Sequence, residues 1–412
     1  MKTDRQNGEM SGKPCSAHGR GIMDKKDLEL YVHIPFCIKK CAYCDFLSAP
    51  ADAKERTSYV DALLSEIAGT GEIYKTHRVN TIFFGGGTPS VLDPGDAERI
   101  FHALSENFDI SENAEITVEV NPGTVTKDKA RTWKECGVTR LSIGLQSVND
   151  DELSMLGRIH TYRDFLDTWE TVRREGFQNV NIDLISAIPG QTVQSWETTL
   201  RTAAQLGPEH ISAYSLIVEE GTPFYERYSQ KAAGKNLPVF PPLPDEDTER
   251  RIYKATEKIL SEYGYHRYEI SNYAKDGYEC RHNLGYWERK EYLGLGLGAS
   301  SLIDERRFCN TADMEKYLRV CKDPDGSELH GEKERLSRRD QMEEFMFLGL
   351  RKTEGVSAEA FRENFGAEIC EVYGAQIRRL SGQGLLELSE GQIRLTGRGI
   401  DISNYVFTEF LF

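Results

Sequence analysis

The stretch that most constrains this chain is Tyr31 to Phe46, Y-V-H-I-P-F-C-I-K-K-C-A-Y-C-D-F, where Cys37, Cys41 and Cys44 stand at C-x3-C-x2-C spacing just after an apolar, β-like run. Three thiolates can hold three irons of a cubane cluster and leave the fourth without a protein ligand, an open coordination position where chemistry can occur. Two other readings compete. The cysteines also fall at i, i+4 and i+7, the spacing of one buried helix face, although Pro35 opposes a helix there. With His33 they make a Cys3His set of the kind that binds zinc; a chain of 412 residues needs no such staple to fold.

With 39% apolar and 28% charged residues, the chain is expected to form one large domain and a smaller one. A formal charge of -15 opposes non-specific phosphate binding, so small molecules and proteins are the expected partners, not nucleic acid. Nine cysteines, with Cys15, Cys136, Cys280, Cys309, Cys321 and Cys370 scattered outside the cluster, point to a reducing compartment and not to a disulfide framework. The first 26 residues are polar, without an apolar signal core, and no later stretch is long enough to span a bilayer. A cytoplasmic protein with a disordered tail over 1–26 is expected, in which Cys15 is no ligand.

Six apolar runs, at 29–34, 79–84, 115–120, 141–145, 180–185 and 211–216, read as strands followed by helical patterns, the first of these over 54–69. Such alternation builds a barrel or an open parallel sheet, and in a barrel ligands sit at the C-terminal ends of the strands. The second run enters Gly85-Gly86-Gly87-Thr88-Pro89, which is either a tight turn or a place where another group approaches the backbone. It matches no phosphate-loop pattern. Glu119, Gln146 and Asp183 are polar residues in or at the ends of apolar strands; each needs a partner, structural or a shared ligand. Arg158 offers a planar donor suited to a carboxylate, or an exposed ion pair.

Residues 221–247 are proline-rich, a stiff lid or a linker, and a helix is expected over 247–263. His282, beside Tyr286 and Trp287 in C-R-H-N-L-G-Y-W, is either a packed corner or an axial ligand next to flat apolar surface that suits a porphyrin. The glycine-rich run at 294–299 reads as a closely approached strand or a turn. Helices at 338–350, 357–365 and 368–381, a hairpin of 385–388 with 392–395, and a last helix toward Phe412 suggest a winged-helix-like unit. The acidic balance opposes DNA binding by it.

The cysteine spacing, with an aromatic before the last cysteine, resembles the radical S-adenosylmethionine (SAM) superfamily, and the fuller phrase Y-x-H-I-P-F-C-x3-C-x-Y-C-D-F is similar to its HemN/HemW group. The resemblance implies an α/β fold: a partial (β/α)6 TIM-like barrel over 27–225, an extension over 226–334 with the H-N-x-x-Y-W motif, and a winged-helix-like α+β domain over 335–412. It further implies a 4Fe–4S cluster on Cys37, Cys41 and Cys44 whose open iron is chelated by SAM. Tyr31, Tyr43, Gly86, Gly87, Thr88, Glu119, Gln146, Arg158 and Asp183 fall at SAM-touching positions, several of which serve a second SAM in the enzyme. HemN-type dehydrogenases carry a further cysteine two positions after the third, where this chain has Phe46. That departure and the H-N-x-x-Y-W motif match the HemW branch, which implies a heme chaperone with His282 as a heme contact. Its partners would be heme, SAM and acceptor hemoproteins such as respiratory-chain proteins, with the cluster and SAM tuning homodimer formation or heme release. The alternative is an oxygen-independent coproporphyrinogen III dehydrogenase using a 5′-deoxyadenosyl radical.

Overall fold

The computed structural model describes residues 25–229, 240–322 and 328–411. The tail up to Asp24, with Cys15, and residues 230–239 of the proline-rich stretch lie outside the described residues.

The strand β1 (Lys26–Ile34) shows why the chain folds as it does. Leu28, Leu30, Val32 and Ile34 alternate with Glu29, Tyr31 and His33, so the apolar set forms one face and the polar set the other. The apolar face is completely buried with Tyr59, Val60, Leu63 and Ile67 of helix α1 (Ala53–Ile73) in the main core. That helix begins in a capping box formed by Asp52 and Glu55, which satisfies two amide donors at its first turn.

Five more strands follow in register: β2 (His77–Gly86), β3 (Ile110–Val120), β4 (Arg140–Gln146), β5 (Val180–Ser186) and β6 (His210–Ser215). They are parallel and neighbour each other in chain order, as the alternation of strand and helix predicts. Glu119 pairs with Ser142, Ser142 with Asn181 and Asn181 with His210. A continuous row of polar side chains therefore crosses the inner face.

The sheet does not close on itself. Beside β1 it continues through Tyr292–Leu295, parallel, and then Ser300–Ile303, Arg306–Cys309 and Glu334–Arg335, antiparallel; beyond β6 it continues through Asn272–Ala274 and His266–Arg267. Among the described residues the sheet has twelve strands and ends on a two-residue strand at each side. The run at 294–299 is both things the sequence suggests, a strand end and a turn, with Gly296 and Gly298 at positive φ.

Glu66 of α1 holds that turn in place. Its buried carboxylate accepts from the Gly296 N–H at 2.9 Å, Asn310 Nδ2 at 2.7 Å and the Tyr317 hydroxyl at 2.5 Å. The Tyr59 hydroxyl donates to the His33 carbonyl at 2.7 Å and accepts from the Leu297 N–H at 3.0 Å. Helix, turn and the C-terminal end of β1 thus form one braced unit.

Downstream, Arg338–Gly349, Ala358–Phe365 and Ile369–Gly382 are helices, and Leu386–Ser389 pairs with Gln392–Leu395 across Glu390-Gly391, both at positive φ as a tight hairpin turn requires. Met346, Phe361, Tyr373 and Phe410 lie in a second, separate core. The single last helix expected toward Phe412 is instead two short ones, Gly397–Asp401 and Ser403–Thr408, because Ile402 leaves the helical region at φ -128°. Among the described residues no helix is long and apolar enough to cross a membrane.

Burial raises the Glu66 pKa to about 7 from the ordinary 4.5. Its contribution to folding is therefore fully present below pH 4.5 and is lost as pH rises through about 7. Glu66→Ala, which strands three donors, should cost about 1–3 kcal/mol in denaturant unfolding, and more at pH 6 than at pH 8.5.

Candidate functional site

The C-terminal ends of the strands surround a cavity of about 520 Å³. Cys37, Cys41, Cys44, Tyr43, Gly86, Gly87, Thr88, Glu119, Gln146, Arg158 and Asp183 all line it. Of the residues predicted for the site, Tyr31 and His282 are placed elsewhere.

The cysteine loop enters the site straight from β1. It is tied down by the Cys37 N–H donating to the Ala49 carbonyl at 3.1 Å and the Ala42 N–H donating to the Leu156 carbonyl at 3.0 Å. Gly87 donates its N–H to the Ile34 carbonyl at 2.9 Å. A Cβ on Gly87 would stand 2.6 Å from the Phe36 carbonyl oxygen and 2.9 Å from the Phe36 nitrogen, so the glycine is needed for the two segments to approach. Gly86 adopts φ 111°, and a Cβ there would meet the His33 ring at 2.5 Å. The glycine run is thus a seam between the cysteine loop and β1.

All three cysteines are free thiols, and burial pushes the Cys44 thiol up. Thr88 Oγ1 lies 3.4 Å from Cys37 Sγ, and Arg158 Nη1 donates to Cys41 Sγ at 3.6 Å. Among the described residues no three histidine, cysteine or acidic side chains are gathered at metal-ligand spacing. The donor set nevertheless suits an iron–sulfur cluster: three thiols on one loop, with the Thr88 hydroxyl beside Cys37 and the Arg158 guanidinium beside Cys41. His33 fits a zinc set poorly. Its Nδ1 is 3.0 Å from the Tyr31 hydroxyl, its Nε2 2.9 Å from the Leu47 carbonyl, and it does not line this cavity.

The floor is acidic. Burial and the nearby Asp183 raise the Glu119 pKa to about 8, with the Gly86 N–H acting in the opposite direction. Asp183 accepts from Ser142 Oγ at 2.9 Å and Asn181 Nδ2 at 2.7 Å, and burial raises its pKa too. Arg158 is fixed by Nη2, which donates to Asn121 Oδ1 at 2.6 Å and the Gly144 carbonyl at 2.8 Å; Asn121 Nδ2 in turn donates to Thr88 Oγ1 at 2.6 Å. Gln146 sits at φ 70°, an uncommon conformation outside glycine that the surrounding structure must impose. Two carboxyl groups facing a cavity beside a guanidinium can take a small ligand bearing both charges.

Asn121 and Tyr214 also line the cavity and were missed in the sequence. The position of Asn121, directly after β3 in Val-Asn-Pro, was the available signal. Arg140, on the inner face of β4, was missed as well. It is 2% exposed, its Nε has no hydrogen-bond partner among the described residues, and Cys280, Glu115, Tyr268 and Asp183 are its electrostatic surroundings.

Tyr31 and His33 line a second cleft of about 480 Å³, with Tyr286, Trp287, Tyr292 and Arg289 among its other walls. Tyr31 still reaches toward the first cavity: a Cβ on Gly85 would meet its ring at 3.1 Å and Glu119 Oε2 at 3.2 Å. His282 is 1% exposed. Its Nδ1 lies 2.7 Å from Thr81 Oγ1, its Nε2 lies 3.0 Å from the Tyr286 hydroxyl, and its ring stacks on Phe83 at 5.1 Å.

The Radical SAM superfamily matches residues 31–203 and the HemN C-terminal domain matches residues 336–402. The cysteine loop and parallel sheet are those of a radical SAM protein. Coproporphyrinogen III oxidase (HemN) from Escherichia coli, described as a radical SAM enzyme, has the same fold at a TM-score of 0.80, covering 95% of this chain and 91% of that one at 23% identity. The chain is 36% identical to the heme chaperone HemW of Lactococcus lactis over 94% of its own length and 98% of that protein. It is likewise 36% identical to HemW of Bacillus subtilis, over 92% and 98%, and 31% identical to the mitochondrial radical S-adenosyl methionine domain-containing protein 1 of Danio rerio, over 96% and 91%. It belongs to the HemW family.

Because the seam at Gly87 meets rigid backbone, Gly87→Ala should destabilise the protein by about 1–3 kcal/mol and increase hydrogen exchange at Phe36 and Cys37. An unchanged exchange pattern there would contradict the close approach.

Proposed function

We propose that this protein is a heme chaperone that binds heme and transfers it to acceptor hemoproteins, respiratory-chain proteins among them, in the cytoplasm. The observation that carries the reading is full-length similarity to chains of that description, together with Phe46, 64% exposed, at the position where the dehydrogenase type has a further cysteine.

Cys37, Cys41 and Cys44 would hold a 4Fe–4S cluster, and that cluster, when bound, supplies an open iron for the amino and carboxylate groups of SAM. The remaining contacts fall to the chain. Glu119 and Asp183 would meet cationic parts of SAM and Arg158 an anionic part, while the backbone at Gly86 and Gly87 and the Thr88 hydroxyl accommodate its methionine end. Tyr43 is half-buried near Arg158, Cys41 and Cys44, where its ring would shield the cluster's thiolates from water. All eight cysteines among the described residues are unpaired, which supports a reducing compartment.

Anaerobic reconstitution followed by heme-transfer and coproporphyrinogen assays on one sample tests the reading. Heme delivery to an apo-hemoprotein without protoporphyrinogen formation is the expected result; protoporphyrinogen formation would make the protein the dehydrogenase. Single Cys37→Ala, Cys41→Ala or Cys44→Ala variants should retain less than about a tenth of the parent's cluster absorption, since a cubane cluster depends on each of its thiolates.

Glu119 must ionise to hold a cation, and its pKa is about 8. SAM affinity should therefore rise as pH increases to about 8 and then level off, with proton release seen by calorimetry in buffers of different ionisation enthalpy. Glu119→Gln should abolish that proton release.

A further inference from the structure

The H-N-x-x-Y-W motif occupies the helix Arg281–Trp287, and its histidine faces away from solvent. Both His282 ring nitrogens are already engaged, one by Thr81 and one by Tyr286. Tyr286 and Trp287, by contrast, line the second cleft, with Tyr31 and Tyr292 beside them. The Tyr286 and Tyr292 rings pack edge to face at 4.7 Å, and the Arg351 guanidinium stacks over Trp287 at 4.4 Å. Trp287 Nε1 is buried and has no hydrogen-bond partner among the described residues. The wall is aromatic and held from behind.

Two arginines, Arg289 and Arg307, also line this cleft, with Arg307 against Tyr292 of the wall. Arg289, at φ 55°, donates from Nε to Glu344 at 3.0 Å and from Nη2 to Glu305 at 2.6 Å; Arg307 donates from Nη1 to the other oxygen of Glu344 at 2.8 Å. One buried carboxylate thus orients both guanidiniums, and a guanidinium carries five N–H groups, so each retains donors beyond those it uses on glutamate. Aromatic rings beside a pair of fixed guanidiniums are complementary to a large planar ligand with carboxylate arms.

We infer that this second cleft, and not the cysteine cavity, receives the tetrapyrrole: Arg289 and Arg307 take its carboxylates, and His282 is a positioning residue that acts through Tyr286 without touching iron. The inference rests on the heme reading above and adds where the ligand lies and what recognises it. Recognition by ring face and carboxylates does not require the metal.

The test uses the full-length protein and three probes, followed by quenching of tryptophan fluorescence and by porphyrin absorption: hemin, metal-free protoporphyrin IX and protoporphyrin IX dimethyl ester. Hemin and protoporphyrin IX should bind within about threefold of each other, and the ester about tenfold more weakly, the loss of roughly one good charge-assisted contact. Ser300→Trp, which plugs the cleft from an exposed position, should abolish porphyrin binding and leave SAM binding unchanged. His282→Asn, which keeps a hydrogen-bonding group for Tyr286, should restore most of the affinity lost in His282→Ala, with no change in the hemin spectrum.

Hemin binding that vanishes in His282→Asn while protoporphyrin IX is ignored by the parent would make His282 an iron ligand and overturn the inference. Undiminished porphyrin binding by Ser300→Trp, or equal affinity for the ester, would overturn the cleft or the arginines respectively. A parent protein that binds none of the three probes would instead remove the heme reading itself.

Discussion

The structure depends on burying charge inside a parallel sheet. Barrel interiors of this kind are ordinarily filled with branched apolar side chains, yet here the inner face carries Glu29, Glu115, Glu119, Arg140, Asn181, Asp183 and His210. Desolvation acts on several of these groups and on their neighbours. It raises Glu29 and Glu119 to about 8 and drives His210 and His282 well below the ordinary imidazole range. A polar interior is tolerable only where each group meets a partner or a ligand. His210 does so through Asn181 at 2.6 Å and the Tyr268 hydroxyl at 2.8 Å, while Glu119 opens into the cavity instead.

That difference divides the interior. Deeper in the sheet Glu115 accepts from the backbone N–H groups of Arg281 and His282, each at 3.2 Å, which anchors the H-N-x-x-Y-W helix to the sheet, while Glu29 Oε2 and Arg140 Nε have no hydrogen-bond partner among the described residues. Near the C-terminal ends the partners run out and the cavity begins. Gly86, which lines the first cavity, lies against His33, which lines the second cleft: a Cβ on the glycine would meet the His33 ring at 2.5 Å.

The strict alternation of Leu28 to Ile34 made the first strand legible, and Cys37, Cys41 and Cys44 followed it where a strand end must present them. Glu119, Gln146 and Asp183 could be read because a polar residue in an apolar strand has few explanations. Tyr31 was legible as a candidate but not as to place: period-two patterning tells which face a side chain takes, not which of two clefts on that face it lines, and His282, on the helix Arg281–Trp287, lines neither. The added strands at both sides of the sheet could not be read, since elements of two to four residues are too short to show a period. Nor could the union of Glu66 with Asn310 and Tyr317, which joins residues more than two hundred positions apart.

The two terminal strands of the twelve carry a consequence for self-assembly. A growing ladder needs a row of free amides and carbonyls several residues long, whereas His266–Arg267 and Glu334–Arg335 each present two charged or ionisable residues and then turn away. At either margin of this sheet, copies of this chain have little backbone to extend, so pairing along it would rest on side chains and could be remade without unzipping the sheet.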